Sequence, residues 1–192
     1  MNESSSPDFW DERYAAGRMP WDFGDAPAAL RDFLGRARAG NVLIPGCGTG
    51  YEVRAFARAG WRVDAVDFSN EAVQRAREFL GADANLVREA DFFVENPNAP
   101  FDLIYERTFL CSLPFHLWPS YVQRVAASLR SGGLLAGFFF FGPEPEPPPH
   151  PLPLEGLSSL FGDAFEQIED SPVADSLQLF AGKERWQVWR KK

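Results

Sequence analysis

The stretch Ile44-Pro45-Gly46-Cys47-Gly48-Thr49-Gly50 decides how the rest of this chain is read. It follows Val42-Leu43-Ile44, a short apolar run that reads as a buried strand over Asn41 to Pro45, and it precedes Glu52 to Ala59, which carries a helical pattern ending at Gly60. Three glycines at alternate positions let the backbone turn tightly and lie close to a ligand. A helix starting directly after such a turn offers unpaired backbone N–H groups to whatever sits there. The spacing also separates cofactor classes. A dinucleotide fingerprint, G-x-G-x-x-G, would place its third glycine at position 51, which is Tyr51, whereas the glycine here is Gly50. No Gly-Lys-Ser/Thr follows, so the loop is not a P-loop. The bland alternative is an ordinary tight turn between strand and helix.

Working outward, Ala26 to Ala39 has Ala and Leu at helical spacing and is broken by Gly40-Asn41. Downstream, Trp61 to Val66 alternates as a second strand, Ser69 is placed to cap a helix running to Leu80, and Gly81 stops it. Asn85 to Arg88 gives a weaker third strand and Phe101 to Tyr105 a clear fourth. Leu117, Tyr121, Val122, Val125 and Leu129 share one helix face, Ser131-Gly132-Gly133 ends that helix, and Leu134 to Phe141 makes a fifth strand. Gly142 to Pro153 is dominated by proline, and proline suits neither a helix interior nor a central strand. It reads either as a stiff surface connection or as a wall or lid over a site. A short helix over Leu154 to Phe161 and two late strands, near Phe165 to Ile168 and Glu184 to Trp189, complete the pattern. Alternating strands and helices imply βαβ units, hence an α/β fold with a doubly wound, Rossmann-like, mainly parallel sheet. One domain over residues 8–192 is expected, with residues 1–7 disordered.

Ligands of such sheets bind beyond the carboxyl ends of the strands. The second strand ends at Asp67, about 20 residues past the glycine loop, where an acid accepts hydrogen bonds from ribose hydroxyls. Asp67 also reads simply as an acid at a helix N-terminus. The third strand ends near Glu89-Ala90-Asp91-Phe92-Phe93, where a nucleoside base would sit. Asp91 is placed to bond an adenine amino group and Phe92 to pack on the ring, the alternative being a loop acid beside core phenylalanines. The fourth strand delivers Tyr105-Glu106-Arg107-Thr108-Phe109. Two charges directly after an apolar strand require water, a partner or a ligand. Pairing with each other, or of Arg107 with an aspartate, is the plain reading.

Composition narrows the partners. Hydrophobic residues make up 45% of the 192, enough for a sizeable core, and the 18 Phe and 6 Trp supply both core and pocket material. A formal net charge of -8 argues against nucleic acid or an anionic membrane as partner. The longest apolar run, Leu134 to Phe141, is too short to span a bilayer, and the polar N-terminus lacks a signal-peptide layout. Cys47 and Cys111 form neither a metal-ligand pattern nor a disulfide framework, so no metal is expected and a reducing, cytoplasmic setting is. Nothing resembles a dimer seam, so a monomer is expected.

The G-x-G-x-G loop resembles motif I of class I methyltransferases. More specifically, Trp10-x3-Tyr14-x2-Gly17-Arg18-Met19-Pro20-Trp21, Pro45-Gly46-Cys47-Gly48-x3-Glu52, Val66-Asp67-Phe68-Ser69, Asp91-Phe92-Phe93 and Phe101 to Arg107 follow in order. Over roughly residues 8 to 141 the chain resembles the thiopurine S-methyltransferase family, which includes halide/thiol methyltransferases. The resemblance implies a class I sheet with an antiparallel C-terminal strand and S-adenosylmethionine as cofactor. It implies an aromatic cover segment over residues 8–25, with Trp10, Tyr14 and Trp21 over the cofactor and Trp21 also touching substrate. Gly46 and Asp67 match cofactor positions, Glu89, Ala90 and Asp91 match the stretch near the adenine, and Arg107 matches an arginine beside cofactor and substrate. From their places at the strand ends, Gly48, Gly50, Phe92 and Glu106 are expected to join the cofactor site and Phe109 the substrate site. Thr108-Phe109-Leu110-Cys111 and Met19-Pro20-Trp21 look more like the halide/thiol branch, Arg107 more like the thiopurine branch, and Glu106 stands where an aspartate is common. The implied reaction is in-line methyl transfer to a small-molecule soft nucleophile, with Arg107 holding an anionic acceptor. Neither histidine, His116 or His150, is placed to act as a base. Two rival classes are a non-catalytic S-adenosylmethionine-binding protein and an NAD-dependent oxidoreductase, the latter opposed by Tyr51.

Overall fold

The structure is a computed structural model and describes residues 4–94, 100–143, 147–153 and 157–192. Contacts divide the chain into two compact units, Met1–Glu95 and Asn96–Lys192.

In the first unit, β1 (Asn41–Pro45), β2 (Arg62–Asp67) and β3 (Val87–Glu89) lie parallel in the order β3-β2-β1. Val42, Leu43 and Ile44 are all buried, as expected of a parallel strand covered on both faces. Pro45 pairs with Val66 and Asp67 with Glu89, so the three carboxyl ends finish level. Helices α1 (Pro7–Ala15), α2 (Ala28–Arg36), α3 (Tyr51–Arg58) and α4 (Asn70–Leu80) surround these strands in sequence. Ser69 caps α4 as the sequence predicts, its hydroxyl accepting the Ala72 N–H at 3.1 Å.

Near the N-terminus the Ser4 carbonyl accepts the Trp10 indole N–H at 2.8 Å, and α1 opens at Pro7. Residues 1–3 lie outside the described residues. α1 is fastened to α4 by polar bonds. Asp11 Oδ1 accepts the Ser69 hydroxyl at 2.6 Å and the Glu71 N–H at 3.2 Å, and Arg75 donates to the Tyr14 carbonyl at 2.6 Å. Asp11 thereby adds negative charge to the α4 N-terminus, where the helix dipole favours it.

In the second unit, β4 (Phe101–Arg107), β5 (Leu129–Phe140), β6 (Phe165–Pro172) and β7 (Glu184–Lys191) take the order β4-β5-β7-β6. β4 and β5 are parallel, and β7 runs antiparallel to both its neighbours, as the expected antiparallel C-terminal strand. α5 (Trp118–Ser128) buries Tyr121, Val122 and Val125, and α6 spans Leu157–Phe161. Two boundaries differ from the sequence reading. β5 begins at Leu129 rather than Leu134, because Leu129 already pairs with Phe101, and Ser131-Gly132-Gly133 form an irregular start of that strand instead of a helix stop. β4 extends to Arg107 because Glu106 and Arg107 pair with Gly137 and Phe138. Of the proline-rich stretch, residues 144–146 lie outside the described residues, as do residues 154–156 of the expected short helix. The described part is tied down: His150 N donates to the Cys111 carbonyl at 2.6 Å and Leu152 N to the Phe140 carbonyl at 2.8 Å. Phe141 and Leu152 form a bridge. This part lies along the end of β5.

Candidate functional site

The first unit gathers most of the predicted cofactor residues at the carboxyl ends of β1 and β2. Gly46, Gly48 and Gly50 have φ of 60°, 53° and 84°, conformations that a side chain would strain. The loop and Asp67 are one device. Asp67 Oδ2 accepts the Gly48 N–H at 2.9 Å and Oδ1 accepts the Ser69 N–H at 3.0 Å. Burial pushes the Asp67 carboxyl up from 3.8 to about 6, against the bonds from Ser69 and Gly48, with Asp11 adding to the rise. A carboxylate offers about four lone-pair sites, so Asp67 keeps acceptor capacity beyond its backbone bonds.

An aromatic cluster covers the loop. Trp10 and Trp21 meet edge to face at 5.3 Å between centroids, and Tyr14 and Trp21 at 6.0 Å. The Tyr14 hydroxyl stands 2.9 Å from where a Gly48 Cβ would be, so glycine is needed there on two counts, φ and space. Burial, then the charge of Asp67, pushes the Tyr14 phenol far up, so it stays protonated and able to donate. Asp22, which sequence reading did not single out, reaches the same loop. Its Oδ2 accepts the Thr49 hydroxyl at 3.2 Å and the Tyr51 hydroxyl at 3.4 Å. Its position directly after Trp21 was the available signal.

The residues expected near the adenine lie at and just past the end of β3. The Ala90 N–H bonds the Asp67 carbonyl at 2.9 Å, which places this stretch beside Asp67, and Phe92 is buried. Glu89 however takes the Asn70 amide at 2.7 Å, and Asp91 Oδ1 takes the Phe93 N–H at 2.8 Å. Both acids are exposed and serve local bonds.

In the second unit, Glu106 and Arg107 point to opposite faces, as neighbours on a strand must. Glu106, expected as a cofactor position, is hydrogen-bonded within the fold. It is 1% exposed. Oε1 accepts the N–H groups of Phe109 and Leu110, both at 2.9 Å, and Oε2 accepts the Tyr121 hydroxyl at 2.7 Å. Burial nevertheless pushes its carboxyl up from 4.5 to about 7. These bonds close over Thr108, whose φ of 57° is a rare conformation for a β-branched residue and persists only when surroundings enforce it. Phe109 packs on Tyr121, 6.1 Å between centroids. On the other face, the Arg107 guanidinium lies 5.1 Å from the Phe138 ring centroid, and its charge acts on Glu184, a buried acid opening β7. Among the described residues, no group of three His, Cys, Asp or Glu is arranged to hold a metal ion. No helix among them is long and apolar enough to cross a membrane.

Residues 5–192 match the family described as thiopurine S-methyltransferase. The chain is 34% identical over 146 residues to a probable thiol methyltransferase 2 of Arabidopsis thaliana, covering 73% of this chain and 64% of that one. It is 30% identical to thiocyanate methyltransferase 1 of Brassica oleracea, covering 66% and 58%, and 30% identical to a thiopurine S-methyltransferase of Vibrio cholerae, covering 66% of each. The chain thus spans somewhat less than two thirds of the length of the first of these relatives. Among solved structures, it resembles a Burkholderia thailandensis 1,6-didemethyltoxoflavin-N1-methyltransferase with bound S-adenosylhomocysteine, at TM-score 0.76 and 21% identity over 97% of this chain and 87% of that one. The N-methyltransferase NodS of Bradyrhizobium japonicum gives 0.75 and 18%, over 96% and 98%. These likenesses show the doubly wound, Rossmann-like methyltransferase fold.

Proposed function

The chain belongs to the thiopurine S-methyltransferase family, and we propose that it is an S-adenosylmethionine-dependent methyltransferase acting on a small soft nucleophile of the thiol, thiopurine or halide type. The observation that carries the cofactor is the coupling of the glycine loop to Asp67 beneath Tyr14. The site's chemistry fits the cofactor. Asp67 has acceptor capacity for ribose hydroxyls, Trp10 and Trp21 offer rings that attract a sulfonium cation, and Asp22 is an acid beside the loop for an ammonium group. When bound, S-adenosylmethionine supplies a methyl group already activated on a sulfonium sulfur.

The protein's task is then placement. The glycine loop and Asp67 hold the cofactor, and Arg107, always charged, holds the acceptor as an anion. Fixed alignment of nucleophile and methyl carbon is worth roughly 7–11 kcal/mol of barrier. A soft thiolate needs no strong base, which suits a chain whose two histidines lie at 116 and 150. The relatives' names, thiol, thiocyanate and thiopurine methyltransferase, support this acceptor class. Residues 8–192 act as one methyltransferase domain with the aromatic cover at its N-terminus, and we place it in the cytoplasm as a monomer, in keeping with its acidic charge and unpaired cysteines.

A panel of thiols, thiopurines, halides and thiocyanate, assayed with methyl-labelled cofactor, tests the reading. Label transfer to at least one acceptor, lost on Arg107→Ala while cofactor affinity holds, is the expected result. Cofactor binding without transfer to any of them identifies a binding protein instead.

A further inference from the structure

Glu184, the first residue of β7, is 7% exposed. The strand register fixes which way it faces. Arg107 pairs with Phe138, Phe138 with Trp186, and Phe140 with Glu184. Paired residues share a sheet face, as do residues two apart on a strand. Arg107 and Glu184 therefore share one face, with Phe138 and Phe140 lining it between them, while Glu106 faces the other way toward Tyr121. Burial raises the Glu184 carboxyl and the charge of Arg107 opposes that rise. Asp175 adds to it, the Ser176 hydroxyl lies alongside, and the buried Cys111 thiol feels the Glu184 charge in turn. A buried acid is costly without a cation near it. Arg107 is that cation.

Resting on the acceptor role of Arg107, we propose that Glu184 selects the acceptor by charge, occupying the field of Arg107 until an acceptor arrives and taking the proton of a neutral thiol. A permanent small anion must then compete with a resident carboxylate for the same guanidinium. A neutral thiol does not. Its S–H bond breaks with the proton passing to a Glu184 oxygen, and its sulfur forms a bond to the methyl carbon as that carbon's bond to the cofactor sulfonium sulfur breaks. The bonding pair stays on the cofactor sulfur, which becomes a neutral thioether, and Glu184 returns its proton to water. Arg107, freed of its partner's charge at that moment, faces the forming thiolate.

The test is Glu184→Gln. Thiocyanate binding by calorimetry, in the presence of S-adenosylhomocysteine, needs no turnover and is expected to tighten at least tenfold in the variant. With turnover, kcat/KM for thiocyanate rises, kcat/KM for an alkyl thiol falls, and the acid limb of the thiol pH profile is replaced by the thiol's own ionisation. Glu184→Asp keeps the wild-type preference. In the wild-type protein alone, thiocyanate binding tightens as the pH is lowered and Glu184 takes up a proton, so a poorly folded variant does not stall the test. Unchanged thiocyanate affinity in both the variant and the wild-type pH series overturns the proposal. Failure of the wild-type protein to bind cofactor or transfer label would instead overturn the functional reading itself, and the two failures are told apart by the labelled panel.

Discussion

Tyr121 donates its hydroxyl to Glu106 Oε2 at 2.7 Å, a bond that joins the buried face of α5 to the carboxyl end of β4. The same carboxyl group holds the backbone of Phe109 and Leu110. Glu106 is therefore the clamp on the turn that follows Arg107 and contains the strained Thr108. Removing one partner of a buried group leaves the other unsatisfied, which costs about 1–3 kcal/mol. Tyr121→Phe is expected to lower unfolding free energy by that amount, read as a shift in urea midpoint at unchanged slope.

Glu106 also makes stability depend on pH with a definite sign. Its carboxyl is raised from 4.5 to about 7 in the folded protein, and Asp67 moves likewise from 3.8 to about 6. Between about pH 4.5 and 7 the native state holds a proton on Glu106 that the unfolded chain has released. Stability contributed by the protonated form is complete below the unfolded value and is lost as pH rises through the folded one. The cofactor-free protein should lose stability between pH 5 and 7.5, and Glu106→Gln should flatten the part of that slope due to Glu106. A variant with the wild-type slope would show that Glu106 ionises as freely folded as unfolded.

Much of this was legible in the sequence because the signals are local. The β1 run, the alternate glycines, Asp67 and the Ser69 cap each lie within a few residues of what they determine, and each stands where expected. The lesser misses were non-local. α1 buries only Phe9 and Tyr14 among charged neighbours, and its docking rests on Asp11 bonding residues of α4 far along the chain. Glu184 meets Arg107 only through the register of β4, β5 and β7. For Glu106 the sequence offered one further signal: adjacent strand residues face opposite ways, so Glu106 and Arg107 address different faces of the sheet.

The loop and its aromatic cover make a two-part prediction. Gly48→Ala introduces strain at φ 53° and places a Cβ 2.9 Å from the Tyr14 hydroxyl. Strain of this kind costs of order 1–3 kcal/mol. Adding Tyr14→Phe removes the crowding atom but leaves the φ strain, so the double variant should recover only part of the lost thermal stability. Full recovery would locate the whole cost in the crowding.

Asp67 should govern cofactor affinity and its pH dependence. Asp67→Asn turns an amide toward either the Gly48 or the Ser69 N–H, a donor facing a donor, and removes the charge. Lost charge-assisted bonds of about 1.5–3 kcal/mol correspond to roughly 10- to 100-fold weaker binding of S-adenosylhomocysteine by calorimetry. In the wild-type protein, affinity should fall as the pH drops below about 6, where the carboxyl protonates. An affinity indifferent to both changes would remove Asp67 from the cofactor site.

Gly137 is the position where the sheet itself has no tolerance. It pairs with Glu106 across β4 and β5, and a Cβ there would collide with the Glu106 carbonyl group and lie 2.9 Å from the Glu106 Cα. These are backbone atoms of a central strand, held on one side by the ladder and on the other by the Glu106 clamp, so no side-chain rotation relieves the contact. Overpacking in a well-filled core typically costs 1–3 kcal/mol, and more where the backbone must shift. Gly137→Ala is therefore expected to destabilise the second unit by about 3 kcal/mol or more and to disturb the turn through Thr108. A variant that melts within a degree of wild type would show that β4 and β5 can separate at this point, and the clamp at Glu106 would then need another support.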